Sequence, residues 1–415
     1  MPKNWKTYKL EELTTKLGDG LHGTPKYSSD GDYFFINGNN LTDGRIQIKS
    51  NTKRVNEDQF LKYQKPLNNR TIFISINGTL GNVATYNNEK LVLGKSACYF
   101  NIKENVHKEF IKQYVSTASF KEFLENNATG SVIKNVSLKS MREHNIKLPP
   151  LPEQKAIAKI LSAIDDKIEN NLAINKTLED MAMALYKHWF VDFGPFQDGE
   201  FIDSELGLIP KGWEVMPFLE LFELLSGGTP KTSIEDYWNG NIYWVSAKDI
   251  GGSGSIYIND TEKKITKLGI KKSATKILPE DTVIVVARGS VGKFGMITKP
   301  MCMNQSCYGI YSKSSYSQAI TYLLIDSLMK HFLNVAYGSV FDTITTSTFK
   351  SISVLLPPDN LMVKIGNEID VLFRDKKTNI KENQTLTKLR DTLLPKLISG
   401  EVRLKEFQEE IENVM

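Results

Sequence analysis

Two glycine-rich turns, "INGTLGN" at 76–82 and "ARGSVGK" at 287–293, hold polar side chains at matching positions. Asn77, Thr79 and Asn82 in the first correspond to Arg288, Ser290 and Lys293 in the second. Forked amides and guanidinium groups suit the donor and acceptor pattern of a base edge. Hydroxyls, lysines and free backbone N–H groups suit a phosphate. The stretch "GTPK" occurs at 23–26 and again at 228–231, adding Thr24, Lys26, Thr229 and Lys231. Lys95-Ser96 and Asn304-Gln305 form a third divergent pair, and Lys248 adds one more cation. The chemistry on offer is non-covalent recognition of a polyanion. Against it stands a plainer reading, in which the glycines only make tight turns and their polar neighbours are solvated. The side chains also differ between copies: Arg288 against Asn77 would favour different bases, and His22 stands where the second copy has Gly227. Two unlike half-sites, and so an asymmetric target, are expected.

Catalytic patterns are missing from the same residues. "RGSVGK" lacks the spacing of a phosphate-binding loop and the hydroxyl that would follow its lysine. The Pro-Pro pairs follow leucine, so there is no Asn- or Asp-Pro-Pro-Tyr/Phe segment of an amino-methyltransferase. His22, His107, His144, His188 and His331 show no ligand or triad spacing. Cys98, Cys302 and Cys307 are too few for a disulfide scaffold and have no His or Cys partners for zinc. They read as small buried strand residues, Cys98-Tyr99 and Cys307-Tyr308 at matching places. No catalytic role, metal or cofactor is expected of this chain.

Composition bounds the rest. The chain has 415 residues, 40% hydrophobic and 24% charged, enough for two or three globular domains with real cores. No run approaches the roughly 20 apolar residues that span a bilayer, and the N-terminus lacks a secretory core, so a cytoplasmic protein is expected. Net charge is only +4, but residues 1–150 carry 22 Lys+Arg against 14 Asp+Glu. Residues 213–358 carry 14 against 12, so the positive charge lies in two candidate globular parts.

These parts are copies. Trp5 and Trp213, "GTPK", "TIFISINGTLGN" and "TVIVVARGSVGK", "GSV" at 130–132 and 338–340, and Leu-Pro-Pro from Leu148 and Leu356 recur in one order. Their offsets stay between 205 and 211, which identifies an internal duplication. "TIFISI" and "TVIVVA" are β-branched runs bounded by polar turns, so they predict buried strands, as does "NIYWVS" at 241–246. Residues 109–124 have helical spacing.

A long helix follows each copy. Pro149, Pro150 and Pro152 fit only its first turn, and Glu153 complements its dipole. Ile157, Leu161, Ile164, Ile168, Leu178, Ala182, Leu185 and Trp189 then follow the 3.5-residue period of a coiled-coil seam, as do Ile365, Ile369, Leu372, Leu386, Leu393 and Leu397. A helix over 152–190 would extend about 58 Å. Asn171 and Asn175 interrupt the first seam, Asn379 and Asn383 the second, with Lys376 and Arg390 also on it. Paired amides would fix the register of two helices; otherwise the seam simply opens to solvent there. Antiparallel pairing would put one head at each end of a spacer, and parallel pairing would put both at one end. Two heads a fixed distance apart suit a duplex read at two places.

The order of these features resembles the specificity subunit of type I restriction-modification systems, over essentially the entire chain. "LPPLPEQKAIAKIL" at 148–161, "YKHWFVDFGPF" at 186–196, "GLIPKGWEV" at 207–215, and "SGGTPKT" at 226–232 with "VVARGSVGK" at 285–293 carry the resemblance. It implies an α+β fold: two mixed α/β target-recognition domains in tandem, separated by two long antiparallel coiled-coil helices with pseudo-twofold symmetry. The boundaries are then recognition domain 1 at 1–148, spacer helix 1 at 149–192, a linker at 193–212, recognition domain 2 at 213–356, and spacer helix 2 with a tail at 357–415. The implied partners are double-stranded DNA, two modification (methyltransferase) subunits and restriction (translocase-nuclease) subunits, with no membrane. S-adenosylmethionine, ATP and magnesium would belong to those partner subunits. A two-headed protein-interaction scaffold, or the recognition part of a related restriction-methyltransferase, remain the alternatives.

Overall fold

A computed structural model describes residues 4–42, 44–130, 133–251, 256–337 and 343–402. The chain divides into two compact units, Met1–Glu169 with Asn383–Met415, and Asn170–Glu382. Apart from Gly130, the two "GSV" matches lie outside the described residues, as does the tail from 403.

The units share one topology. In the first, an antiparallel sheet has the order Thr14–Asp19, Ala97–Ile102, Thr71–Ser75, Val83–Thr85. In the second, Phe222–Ser226, Cys307–Ser312, Val283–Val286 and Phe294–Ile297 repeat that order, and Tyr257–Ile258 adds a parallel edge. A smaller sheet accompanies each: Arg54–Val55, Tyr33–Ile36, Leu91–Leu93 in one, and Lys263–Ile265, Trp238–Val245, Cys302–Met303 in the other. In both small sheets the middle strand is antiparallel to the first and parallel to the last. The strands that open and close each globule also pair alike, with Lys6 opposite Leu148 and Glu214 opposite Leu356. The expected duplication is therefore repeated down to strand order and register.

The all-apolar strands are explained by burial on both faces. Ile72 and Ile74 pack with Phe110, Phe120 and Leu124, whereas Phe73 packs with Ile36, Leu91 and Tyr99 on the opposite side. Val283 and Val285 against Ile284 and Val286 repeat this division. A strand covered on both sides has no reason to alternate. The single helical stretch expected at 109–124 is two helices, Lys108–Val115 and Ala118–Asn126. Thr117 breaks it, its hydroxyl accepting the Phe120 N–H at 3.2 Å as an N-cap.

The long helices are Leu151–Phe190 and Asp359–Ser399, of 40 and 41 residues. The first would measure about 60 Å at 1.5 Å per residue. Within the first unit, Ile157, Leu161 and Ile164 share a core with Leu393, Leu397 and Ile398. There Arg390 Nη1 meets Asp165 Oδ1 at 3.1 Å, and Asn383 Nδ2 donates to the Ile168 carbonyl at 3.2 Å. Within the second unit, Asn171 Nδ2 donates to Glu382 Oε2 at 2.8 Å, Asn379 Nδ2 to Asn175 Oδ1 at 3.0 Å, and Lys376 pairs with Glu179. In each unit the partner number falls as the first rises. The helices are antiparallel.

Candidate nucleic-acid interface

Four loops meet at one end of the strands in each unit, and backbone hydrogen bonds set their order. In the second unit Gly228 N donates to the Met303 carbonyl at 3.0 Å, Asn304 N to Val245 at 2.9 Å, and Ala287 N to Ser306 at 2.8 Å. A Cβ on Gly227 would lie 2.0 Å from the Asn304 carbonyl oxygen, so only glycine permits this approach. In the first unit Leu21 N donates to Leu93 at 2.7 Å, Gly94 N to Ile36 at 2.8 Å, and Ile76 N to Ser96 at 2.9 Å. The same loops are thus joined in the same way, 20–26, 37–40, 76–82 and 94–96 answering to 227–231, 246–249, 287–293 and 304–306.

This frame places the candidate side chains. Gly78 and Gly81 at φ 75° and 84° answer to Gly289 and Gly292 at 83° and 96°, left-handed turns that favour glycine. They leave Thr79, Arg288, Ser290 and Lys293 exposed, and Asn77 half-buried. Thr229 donates its hydroxyl to the Gln305 side-chain carbonyl, joining two loops. Lys26, Lys95, Lys231 and Lys248 are exposed, as is Thr24; Lys248 lies 3.8 Å from Glu262. Two amides are occupied within the fold. Asn82 Nδ2 donates to the Gly38 carbonyl at 3.2 Å, and Asn304 Oδ1 accepts the Ser306 N–H at 3.1 Å. Asn82 ties its turn to the 37–40 loop, and Asn304 braces its own.

The backbone also corrects three letter-by-letter equivalences. Leu21 and Gly228 make the same bond, so His22 corresponds to Thr229 rather than to Gly227. The first copy holds two extra residues before its "GTPK"; Gly23 has open space around it, whereas a Cβ on Gly228 would meet Thr275 N at 2.4 Å. Ser96 and Ser306 both accept from the turn, which pairs Lys95 with Gln305. Cys98 is likewise out of step with Cys307, because Ala97 faces Ser75 while Cys307 faces Val286. One residue of slip puts the two thiols on opposite sheet faces. Both remain buried small residues; burial pushes the Cys307 thiol up to about 12 and Cys302 to about 11.

In the first unit the loops enclose a groove of about 410 Å³ lined by Asp19, His22, Asn77, Lys95, Asn135 and Ser137 among others. His22 Nε2 lies 2.5 Å from Asp19 Oδ2, and Asn77 Nδ2 donates to Asn135 Oδ1 at 3.1 Å. Asn135 was not apparent from its local sequence, since it reaches the site through a bond to Asn77 far along the chain. Val136 and Ile344 make equivalent bonds to Ile76 and Ala287, so Thr343 holds its place in the second unit. His144 lies elsewhere, packed on Phe120 and Phe123, and burial lowers it to about 4. Among the described residues no group of three or more His, Cys, Asp or Glu could hold a metal, and no helix is long and apolar enough to cross a membrane.

The family model for the type I restriction modification DNA specificity domain matches residues 2–180 and 210–389. The chain belongs to this family. Among relatives of this specificity family, the type I restriction enzyme MjaIX specificity subunit of Methanocaldococcus jannaschii is 27% identical, over 98% of this chain and 95% of that one. The HindI specificity subunit of Haemophilus influenzae is 24% identical over 69% and 75% of the two chains. A crystal structure of a type I restriction-modification S subunit from M. genitalium shares the fold, with a TM-score of 0.61 at 18% identity over 95% of this chain and 96% of that one.

Proposed function

We propose that this specificity-family chain reads an asymmetric, two-part DNA sequence, one part with each unit, and delivers it to modification and restriction subunits. One observation carries the reading: the two loop rings share a backbone yet present different side chains. Arg288 replaces Asn77, Gln305 replaces Lys95, Thr229 replaces His22 and Thr343 replaces Asn135. A duplicated frame with altered tips is what two different half-sites require, because base edges differ in their donor and acceptor pattern. Thr24, Lys26, Lys231, Ser290 and Lys293 hold the backbone phosphates. The paired long helices set the spacing between half-sites and dock two methyltransferase subunits, which supply S-adenosylmethionine and the adenine chemistry. Restriction subunits add ATP- and magnesium-dependent translocation and cleavage. This chain contributes no catalytic group, and its chromosomal target puts it in the cytoplasm.

The test is genome-wide mapping of adenine methylation in cells carrying the partner subunits, with this chain, without it, and with Arg288→Ala. A split motif should depend on the chain. The variant should relax one half only, consistent with a loss of about 1–3 kcal/mol for a forked contact to guanine. Identical methylation in all three strains rejects the reading.

A further inference from the structure

The small three-stranded sheet of each unit carries a second basic surface, outside the reading loops. In the first unit Phe34 stands opposite Arg54 in the strand register, with the guanidinium 4.9 Å above the ring. In the second, Tyr243 stands opposite Lys264, with the ammonium 4.5 Å above the ring. The duplication has kept a cation over an aromatic face at one register position. Lys90 over Tyr33, Lys299 over Tyr243 and Lys263 over Trp238 extend the arrangement. A ring face attracts a cation without neutralising it, so such a cation is held in place yet still open to an anion.

We propose that this face is a second DNA-contact surface, gripping backbone phosphates beside the bases that the loops read. The proposal rests on the reading of the loops as a DNA reader. The two surfaces are continuous. Trp244 Nε1 donates to the Gly228 carbonyl at 2.9 Å, and Trp238 Nε1 to Lys231 at 3.3 Å. The tryptophans meet edge to face at 5.2 Å, and Trp238 carries Lys263. In the first unit Ser28 N, just past "GTPK", donates to the Arg54 carbonyl at 2.9 Å.

The second unit has the stronger form. Residues 263–276 contain six lysines and no carboxylate. Lys267, Lys271, Lys272 and Lys276 are exposed, and none pairs with a carboxylate among the described residues; Lys264 alone of the six does, 3.8 Å from Asp260. Their helix, Lys267–Lys271, is anchored. Thr266 caps it through Gly269 N at 3.1 Å, Thr266 Oγ1 donates to the Asp236 carbonyl at 2.7 Å, and a Cβ on Gly269 would come within 2.5 Å of the Tyr237 carbonyl oxygen. Exposed cations on an anchored backbone at the flank of a reading site suit contact with phosphates.

The experiment titrates the full chain, assembled with its methyltransferase subunits, against a duplex bearing the mapped motif and an unrelated duplex of equal length. Salt is varied from about 50 to 200 mM, the range over which phosphate contacts weaken most visibly. Lys267→Gln, Lys271→Gln and Lys272→Gln together should weaken both duplexes alike and make the salt slope shallower by about 2–3. The methylated motif should not change, and arginine at the same three positions should keep the slope. Arg54→Gln should act the same way with a change of about 1. An unchanged slope, or loss of subunit assembly with DNA binding intact, overturns the proposal, the latter by showing a protein-facing surface. Failure of the unmodified complex to prefer its motif duplex overturns the loop reading as well, and is visible before any variant is made.

Discussion

Asn77, proposed above to read a base, depends on a neighbour for its orientation. Its amide donates to Asn135 at 3.1 Å, which fixes which way the fork points. A free amide can flip, and a braced one presents a single donor and acceptor pattern. Asn135→Ala should therefore relax the preference at one half of the target while leaving the other half unchanged. The penalty for the correct base should be about 1–3 kcal/mol, checked by competition binding with single-base variants of that half-site. Unaltered discrimination would remove Asn135 from the reading groove. The exposure of Arg288, Lys95 and the "GTPK" lysines beside glycine turns was legible from residue type alone, because charged side chains are seldom buried without a partner. The place of Asn135 in the groove was not, since nothing in "IKNVS" distinguishes it from an ordinary loop residue. The occupation of Asn82 and Asn304 was equally hidden, as it depends on Gly38 and Ser306 being near.

Of the long helices, the first was legible almost to the residue, 152–190 against Leu151–Phe190, because three prolines fix the start and a 3.5-residue period fixes the face. Their partners across the seam were not, since periodicity says which positions meet a partner but not which partner. The structure pairs Asn379 with Asn175, and gives Asn171 to Glu382 and Lys376 to Glu179. Asn171 is fully buried and Asn175 nearly so, so these bonds lie where a lost partner is expensive. Asn175→Leu alone should destabilise by about 1–3 kcal/mol, because it orphans the Asn379 amide. Asn175→Leu with Asn379→Leu removes both polar groups and should recover most of that loss or exceed the parent melting temperature. Denaturant unfolding of the four proteins of this cycle measures the coupling. Additive single effects would show that the amide pair does not set the register. The break at Thr117 belongs to this scale too: the apolar spacing of 109–124 is helical throughout, and only the cap reveals two helices.

Each unit has its own core, Ile72 and Phe100 with the 151–169 and 383–399 segments in one, Val283 and Phe332 with the 170–190 and 359–382 segments in the other. The duplication that offset arithmetic reveals is thus a duplication of folding units, each closing its two-stranded pair at the foot of its own helix segment. Asn77 and Arg288 lie in different units, and substitutions at distant sites without shared partners add within about 0.5 kcal/mol. This makes the two-part reading quantitative. Asn77→Ala should weaken discrimination at one half-site, Arg288→Ala at the other, and the double variant should lose the sum of the two on a duplex carrying both. Binding to the four combinations of intact and mutated half-sites measures both terms and their coupling. Each single variant should become indifferent to one half-site only, with coupling below about 0.5 kcal/mol. Indifference of both variants to the same half would mean that the two loop rings converge on one stretch of DNA, and the division of labour between units would have to be abandoned.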